Sequence, residues 1–392
     1  MEIIKATSIE EIEAIRPAWE SIQNNTSCPI INANIDRYLS VIKASDGDVR
    51  PYVLLFCRED EPVGMVVGRL EKHKLVCRIG YKVLFSPSLR CMTVVYGGIM
   101  GELDDSTCTE FVREMLSILR LGDVDMIFLN HIKTDSPFYK FARNMPSFVC
   151  RGHFLVIQKH WTMSVPENID EFYKRYSKKH RANIKRSIRK LEKEYPDKVE
   201  VVTYSGKTGI DTALRDIFEI SRNTYQHALG KGVEDDARTH SIMRTATECG
   251  WFRAHLLYIN NKPCAFQTGL HYNQTYFLDQ IGFDPDYKQH GIGTVLFIKV
   301  LESLCGNPAV STIDFGFGDA VYKYWYGNNS DHEALLYIFA PRLYPILINI
   351  LQSSATGLSL GANWLADKTG SVRWLKRHWR DRLQWKNGQK EK

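Results

Sequence analysis

Between residues 251 and 327 the apolar positions come in short runs broken by polar turns, and the character of the runs changes halfway. Residues 254–259 (AHLLYI), 263–271 (PCAFQTGLH) and 275–283 (TYFLDQIGF) each have the length and β-rich composition of a strand. Asn260-Asn261-Lys262 and Tyr272-Asn273-Gln274 separate them. Asparagine suits tight reversals, so the three runs predict an antiparallel meander. A polar stretch from Asp284 ends in Gly291-Ile292-Gly293, and residues 294–301 (TVLFIKVL) are apolar densely enough for a buried helix. Residues 312–315 predict another strand, followed at once by Gly316-Phe317-Gly318-Asp319-Ala320-Val321-Tyr322-Lys323-Tyr324-Trp325.

The first 150 residues repeat that order. Residues 7–23 carry a capping-box start, Ser8 with Glu11, and apolar Ile9, Ile12, Ile15 and Trp19 at helical spacing. Residues 52–57 and 62–69 predict a hairpin around Arg58-Glu59-Asp60-Glu61, 92–96 a third strand before Gly97-Gly98, 108–120 a helix and 125–129 a strand. The repetition predicts an internal duplication. Glu102, Asp104 and Asp105 precede the helix of this first copy, and three carboxylates there would repel a phosphate, so the copy is read as degenerate. The boundary is expected at 146–152, with a strand at 154–157 and a helix starting at Asn168.

Residues 170–195 put Phe172, Tyr176, Ile184, Ile188, Leu191 and Tyr195 on one helical face and ten Lys/Arg on the other, with few acidic partners. This is either a solvated face or an attractor for a phosphate-rich substrate. Further helices are expected at 213–228 and 234–248. Asn223, Tyr225 and His227 near their joint are either acceptor-lining or ordinary surface residues. From residue 364 on, Trp364, Trp374, Trp379 and Trp385 stand among nine Lys/Arg, a mixture that suits a membrane interface or a groove on the protein itself.

At 392 residues, with 44% hydrophobic and 11% aromatic content, two packed domains are expected. The nine cysteines are scattered and show no metal-ligand spacing, so neither zinc nor a disulfide framework is indicated and no metal is expected. No signal peptide is read at the start, and no apolar run approaches the roughly 20 residues of a membrane span. A cytoplasmic protein, with peripheral contact to the inner face of the membrane through the tail, is the expectation. A sequence-specific nucleic-acid module is not found.

A glycine turn opening a helix presents unsatisfied N–H groups and a positive dipole end to an anion. Leu296 occupies the position of a third Rossmann glycine, and no Gly-Lys-Ser/Thr P-loop is present, so dinucleotide and P-loop sites are set aside. Meander, glycine turn, helix, strand is the order of the GNAT acyltransferase fold. Residues 252–327 resemble the acyltransferase domain of CelD-type cellulose and exopolysaccharide biosynthesis proteins, relatives of the Fem-type aminoacyltransferases. The resemblance rests on Arg253-Ala254-His255-Leu256-Leu257-Tyr258, on Pro263-Cys264-Ala265-Phe266, on the glycine loop and above all on Asp314-Phe315-Gly316-x-Gly318-Asp319-x-x-Tyr322-Lys323. Upstream, residues 181–192 resemble that family's basic Arg-x-Asn-x-x-Arg helix. The resemblance covers about 155–340. One departure is Lys288, where the general GNAT loop has Gln or Arg.

The resemblance implies an α/β (α+β) protein of two tandem GNAT-like domains, each a mixed, mostly antiparallel sheet flanked by helices. Residues 1–150 form the degenerate copy, 151–340 the acyltransferase domain and 341–392 a helical, basic, Trp-rich tail. It implies acyl-CoA, in the first instance acetyl-CoA, as co-substrate. Tyr276, Leu278 and Gln280 would contact pantetheine through the strand backbone, and Lys288, Gln289, Gly291, Gly293 and Thr294 would hold the pyrophosphate. The reaction needs a base for the amine, for which Asp319 and His290 are candidates with His255 and His271 further back, and an acid for the thiolate, Tyr322 or Tyr324. Lys323 is placed with them, for catalysis or for binding acceptor or phosphate. No Ser-His-Asp or Cys-His pattern points to an acyl-enzyme, so direct transfer to an amine, such as an amino sugar, is expected. The alternatives are Fem-like transfer from aminoacyl-tRNA, which the basic helix suits but which lacks that family's long helical arm here, and a non-catalytic binding protein keeping the fold.

Overall fold

The structure, a computed structural model, describes residues 1–26, 29–79, 82–224 and 232–368. Its strands are β1 (Glu2–Ala6), β2 (Arg50–Arg58), β3 (Glu61–Lys74), β4 (Cys77–Ile79), β5 (Lys82–Phe85), β6 (Ser88–Gly101), β7 (Met126–Lys133), β8 (Val156–Ser164), β9 (Val199–Tyr204), β10 (Phe252–Ile259), β11 (Lys262–Tyr272), β12 (Thr275–Phe283), β13 (Thr312–Phe317) and β14 (Asn329–Phe339). All but the β4–β5 hairpin join one 12-stranded sheet in the order β1-β2-β3-β6-β7-β14-β8-β13-β12-β11-β10-β9.

The turns follow from their residues. Asn260 and Asn261 (φ 52° and 61°), Asn273 and Gln274 (φ 49° and 62°), and Glu59 and Asp60 (φ 52° and 68°) are left-handed pairs, the conformation that matches a two-residue hairpin to the twist of its strands. The meanders β1-β2-β3-β6 and β9-β10-β11-β12 are antiparallel throughout. Each then meets one parallel neighbour, β7 beside β6 and β13 beside β12. The duplication expected from the sequence is therefore present in the strand order.

The helices are α1 (Ile9–Ala14), α2 (Arg16–Asn24), α3 (Ile35–Lys43), α4 (Asp105–Leu121), α5 (Pro137–Asn144), α6 (Ile169–Lys174), α7 (Lys178–Glu194), α8 (Ile210–Arg222), α9 (Ala237–Glu248), α10 (Ile292–Leu304), α11 (Val321–Tyr326) and α12 (Leu343–Lys368). In the first half one apolar core packs α4 and α5 on the sheet through Phe111, Met115 and Phe138, and another packs α1 to α3 on the opposite face through Trp19, Tyr38 and Leu39. In the second half α10 and α7 cover one face through Val295, Ile298 and Leu191, while α8 and α9 cover the other through Leu214, Phe218 and Met243.

Several elements differ from their expected limits. The helix at 7–23 is two helices that meet at Ile15, with Pro17 in the first turn of the second. The basic helix at 170–195 breaks at Ser177, whose hydroxyl accepts the His180 N–H and starts α7 as an N-cap. Gly97-Gly98 lies inside β6, and the turn into α4 comes at Asp104, which caps it by accepting the Thr107 N–H at 2.7 Å. The helix at 213–228 ends at Arg222, and Tyr225 and His227 lie outside the described residues. β14, unread in the sequence, follows the second half along the chain yet pairs with β7 and sends Ala334, Leu336 and Ile338 into the first half's core. It also pairs with β8, which sends Met163 into the second half's core. The sheet consequently has no edge between its halves.

Candidate functional site

β12 and β13 are paired only at Thr275–Thr312, Tyr276–Ile313 and Phe277–Asp314. Beyond Phe277 the two strands part, because β13 keeps its pairing with β8 while β12 keeps its pairing with β11. The edge of β12 after Phe277 is left open towards β13. On its other edge the register slips by one residue at this level, Gly269 facing Leu278 and Thr268 facing Gln280, so Asp279 is the bulged residue.

Asp279 is exposed to solvent and lines a cleft of about 310 Å³ together with Arg37, Met243, Phe252, Leu270 and Gln280. Desolvation raises its carboxyl above the ordinary carboxylate range, and the charge of Arg37 opposes that rise without cancelling it. Arg37, from α3, also lines a neighbouring cavity of about 120 Å³ with Tyr38, Arg69, Tyr96 and Asn130. That cavity lies in the first half, beside the irregular stretch of β6 that spans Tyr96, and one guanidinium thus serves both halves.

The glycine turn lies at the far end of β12. A short 3-10 turn (Pro285–His290) delivers Gly291 at φ +62°, a left-handed residue that N-caps α10 without a side chain. Lys288 and Gln289 are exposed, Gly293 opens the helix, and the Thr294 hydroxyl is 3.4 Å from that of Tyr326 on α11. The basic α7 runs beside this turn: a Cβ on Gly291 would lie 3.5 Å from Ser187 Oγ, and His290 Nε2 is 3.5 Å from Glu194. Among the described residues none of the Lys or Arg side chains of α7 forms an ion pair, so their charge is available to an anion.

Asp314, at the head of the signature, has a local task. Its Oδ1 accepts the Gly316 N–H at 2.7 Å, fixing the bulged end of β13 where Gly316 (φ +67°) and Gly318 (φ +101°) turn the chain. The same oxygen is 2.7 Å from His160 Nε2, and His160 Nδ1 is 3.0 Å from Glu333 Oε1 and 3.3 Å from the Tyr96 hydroxyl. Burial by itself would lower the His160 pKa, but hydrogen bonds to the two carboxylates, and their charges, outweigh it and hold the imidazole up at about 9. His131 stacks on Phe317 at 3.5 Å next to this network. β8, β13 and β14 are thereby pinned to one another, and Tyr96 adds β6.

Lys323 donates to the Phe317 carbonyl at 2.6 Å, and burial lowers its pKa against the pull of Asp314. Tyr322 packs against the second half's core, Tyr324 is exposed at 67%, and Asp319 stands exposed on the loop before α11. Tyr276 is buried to 1% and lies near His255, so its side chain belongs to the core, and Leu278 packs there in part. Burial lowers His255 to about 4, leaving a neutral ring bonded to Thr203. His271 donates from Nε2 to the Ala309 carbonyl at 2.8 Å, at the end of the sheet away from Gly291. Asp279, Arg37, Tyr96, His160 and Glu333 were not singled out in the sequence. The one available signal was an acid inside an otherwise apolar strand, at Asp279. Among the described residues no group of His, Cys, Asp or Glu is placed to hold a metal ion.

Two tandem halves of one sheet, each an antiparallel meander that meets one parallel neighbour, define a GNAT acyltransferase fold of the mixed α/β class. Residues 178–324 match the family model of the acetyltransferase (GNAT) domain. The chain is similar in structure to FemX, with TM-score 0.59, 9% identity, and coverage of 89% of this chain and 100% of that one. It is also similar to a tandem GNAT protein from the clavulanic acid biosynthesis pathway (TM-score 0.50, 11% identity, 87% and 100% covered). A third similar structure is L-PGS from Bacillus licheniformis (TM-score 0.50, 13% identity, 88% and 96% covered). At these identities the likeness is one of fold. No curated protein matches the chain by sequence.

Proposed function

We propose that the protein is an N-acyltransferase that moves an acyl group from acyl-CoA directly to an amine acceptor, an amino sugar of envelope or exopolysaccharide metabolism being the class that the CelD-type resemblance implies. The observation that carries this reading is the bulged Asp279 lining a cleft, at the level where β12 parts from β13. The residues present fit acyl-CoA. The open edge of β12 beyond Phe277 offers backbone groups to pantetheine amides, and the Gly291 turn with the unpaired cations of α7 suits a pyrophosphate.

The cleft lies on the α8–α9 side of the sheet, whereas Gly291 and α10 lie on the other, so acceptor and thioester approach the gap from opposite faces. The amine nitrogen attacks the thioester carbonyl carbon, its proton passes to a base, and the carbon–sulfur bond breaks as the thiolate takes a proton from an acid. We assign the base to Asp279 in place of the exposed loop residue Asp319, because desolvation raises its pKa above the ordinary carboxylate value while the cleft keeps it in reach of an acceptor. Tyr322 is assigned the acid and Lys323 the stabilisation of the loop that carries it. A second reading, transfer from aminoacyl-tRNA, is favoured by the unpaired basic face of α7.

Isothermal titration of the purified protein with acetyl-CoA and CoA, repeated with Gly291→Asp, tests the assignment. Micromolar binding that the variant loses supports the glycine turn as the pyrophosphate site, since a carboxylate there opposes an anion. Absence of binding in the wild type removes the CoA reading and sends the test to charged tRNA.

A further inference from the structure

Residues 343–366 contain no Asp, Glu, Lys or Arg, and in the structure they form most of α12. The inward side of this helix is accounted for: Ile348 packs with Leu75, Leu89 and Phe339, and Asn349 Nδ2 donates to the Val149 and Arg151 carbonyls at 2.9 and 3.0 Å. The outward side is equally apolar. Leu343 (86%), Leu347 (48%), Ile350 (51%) and Leu358 (62%) are exposed at spacings of three, four and eight, a single stripe along the helix. Phe148 (69%) extends the stripe from the turn that Asn349 holds, and Phe154 (43%), whose ring lies against Gly357, extends it further. β4 packs beside α12, and its partner β5 exposes Val83 (54%) and Leu84 (46%). A soluble surface seldom leaves so continuous an apolar strip uncovered.

The charge distribution selects the occupant. Residues 369–392 hold eight of the chain's 51 Lys/Arg and two of its 45 Asp/Glu, so the whole net charge of +6 resides there and residues 1–368 are neutral. The same 24 residues contain Trp374, Trp379 and Trp385. An uncharged apolar helix face that runs directly into a cationic, tryptophan-bearing segment matches the layering of an anionic bilayer surface: acyl boundary, then headgroups. No helix among the described residues is long and apolar enough to cross a membrane.

We propose that the outward face of α12, with Phe148 and Phe154, lies in the interface of an anionic membrane, held there by the basic segment that follows. A second copy of the chain, or residues 369–392 folded back on the stripe, are the competing occupants.

The full-length protein is sedimented with vesicles of pure phosphatidylcholine and of phosphatidylcholine with 30 mol% phosphatidylglycerol. Binding to the anionic vesicles and not to the neutral ones is expected. Leu347→Asp/Ile350→Asp lowers partitioning at least about tenfold by placing charge at the acyl boundary. Arg377→Glu/Arg380→Glu lowers it by about 25-fold or more, from about fivefold per basic residue near an anionic surface. Both variants change only exposed or tail positions, and melting temperatures checked beside the wild type separate lost binding from lost folding. The proposal fails if the wild type does not sediment with anionic vesicles, or if both well-folded variants bind as it does. It also fails if light scattering finds a dimer that Leu347→Asp/Ile350→Asp dissociates, which assigns the face to a second copy.

Discussion

Raising the pH through the range of the His160 imidazole is expected to loosen the junction between the two halves of the sheet. His160 is buried at 6% exposure between Asp314 and Glu333, and its pKa is held at about 9 against 6.5 for the ordinary side chain. A cationic imidazole between two carboxylates stabilises the folded state wherever the unfolded chain also protonates it, and that contribution is complete below pH 6.5. Above it, the unfolded chain loses its proton first while the folded chain keeps it, so folding must retain a proton that solution no longer supplies, and the stabilisation is exhausted once the pH has passed 9. At 1.36 kcal/mol per pKa unit the shift amounts to about 3 kcal/mol, a large part of the stability of an ordinary domain. Urea unfolding followed by tryptophan fluorescence at pH 6, 7, 8 and 9 measures it. Other groups titrate in this range too, so the quantity to read is the difference between wild type and His160→Gln, which is expected to shrink by about 3 kcal/mol from pH 6 to 9. A difference that stays constant across the range refutes a charged His160 and with it the role assigned to the Asp314–His160–Glu333 network.

Asp279→Asn is expected to reduce turnover of acetyl-CoA with an amine acceptor by about 10²- to 10⁴-fold, the range lost when a general base is removed, while acetyl-CoA binding by titration stays unchanged. In the wild type the rate rises with pH through a midpoint above the ordinary carboxylate value, and the same midpoint in the Asn variant would show that another group acts as base. Asn349→Leu strands the Val149 and Arg151 carbonyls beneath α12 and is expected to cost about 1–3 kcal/mol in chemical denaturation. A cost near zero there means that α12 does not depend on this anchor.

Three strands of each meander, their hairpin turns and the glycine turn before α10 were legible in the sequence because each is a local matter, whereas β1 and β9 were not read. Asn260-Asn261, Asn273-Gln274 and Glu59-Asp60 adopt left-handed pairs that depend on little beyond their own backbones, and the run 294–301 needs a buried face wherever it packs. The Asp314-Phe315-Gly316-x-Gly318 signature was readable as a motif, but its physical content was not. That Asp314 caps Gly316 and holds His160 requires β8, some 150 residues earlier in the chain, to lie alongside β13.

Tertiary structure alone decided the rest. β14 reads as a polar stretch, Asn329-Ser330-Asp331-His332-Glu333, before it turns apolar, because its first four residues are exposed and Glu333 faces a hydrogen-bonded network instead of a core; no periodicity marks such a strand. Asp279 looks like one more strand position until the register slip in its pairing with β11 makes it a bulged residue lining a cleft, and Arg37 joins it from a helix 242 positions away. The sequence determines which short segments turn, pair or coil, since those choices are settled by neighbours within a few residues. Which carboxylate meets which cation is settled by how twelve strands order themselves in one sheet, and only the folded chain contains that information.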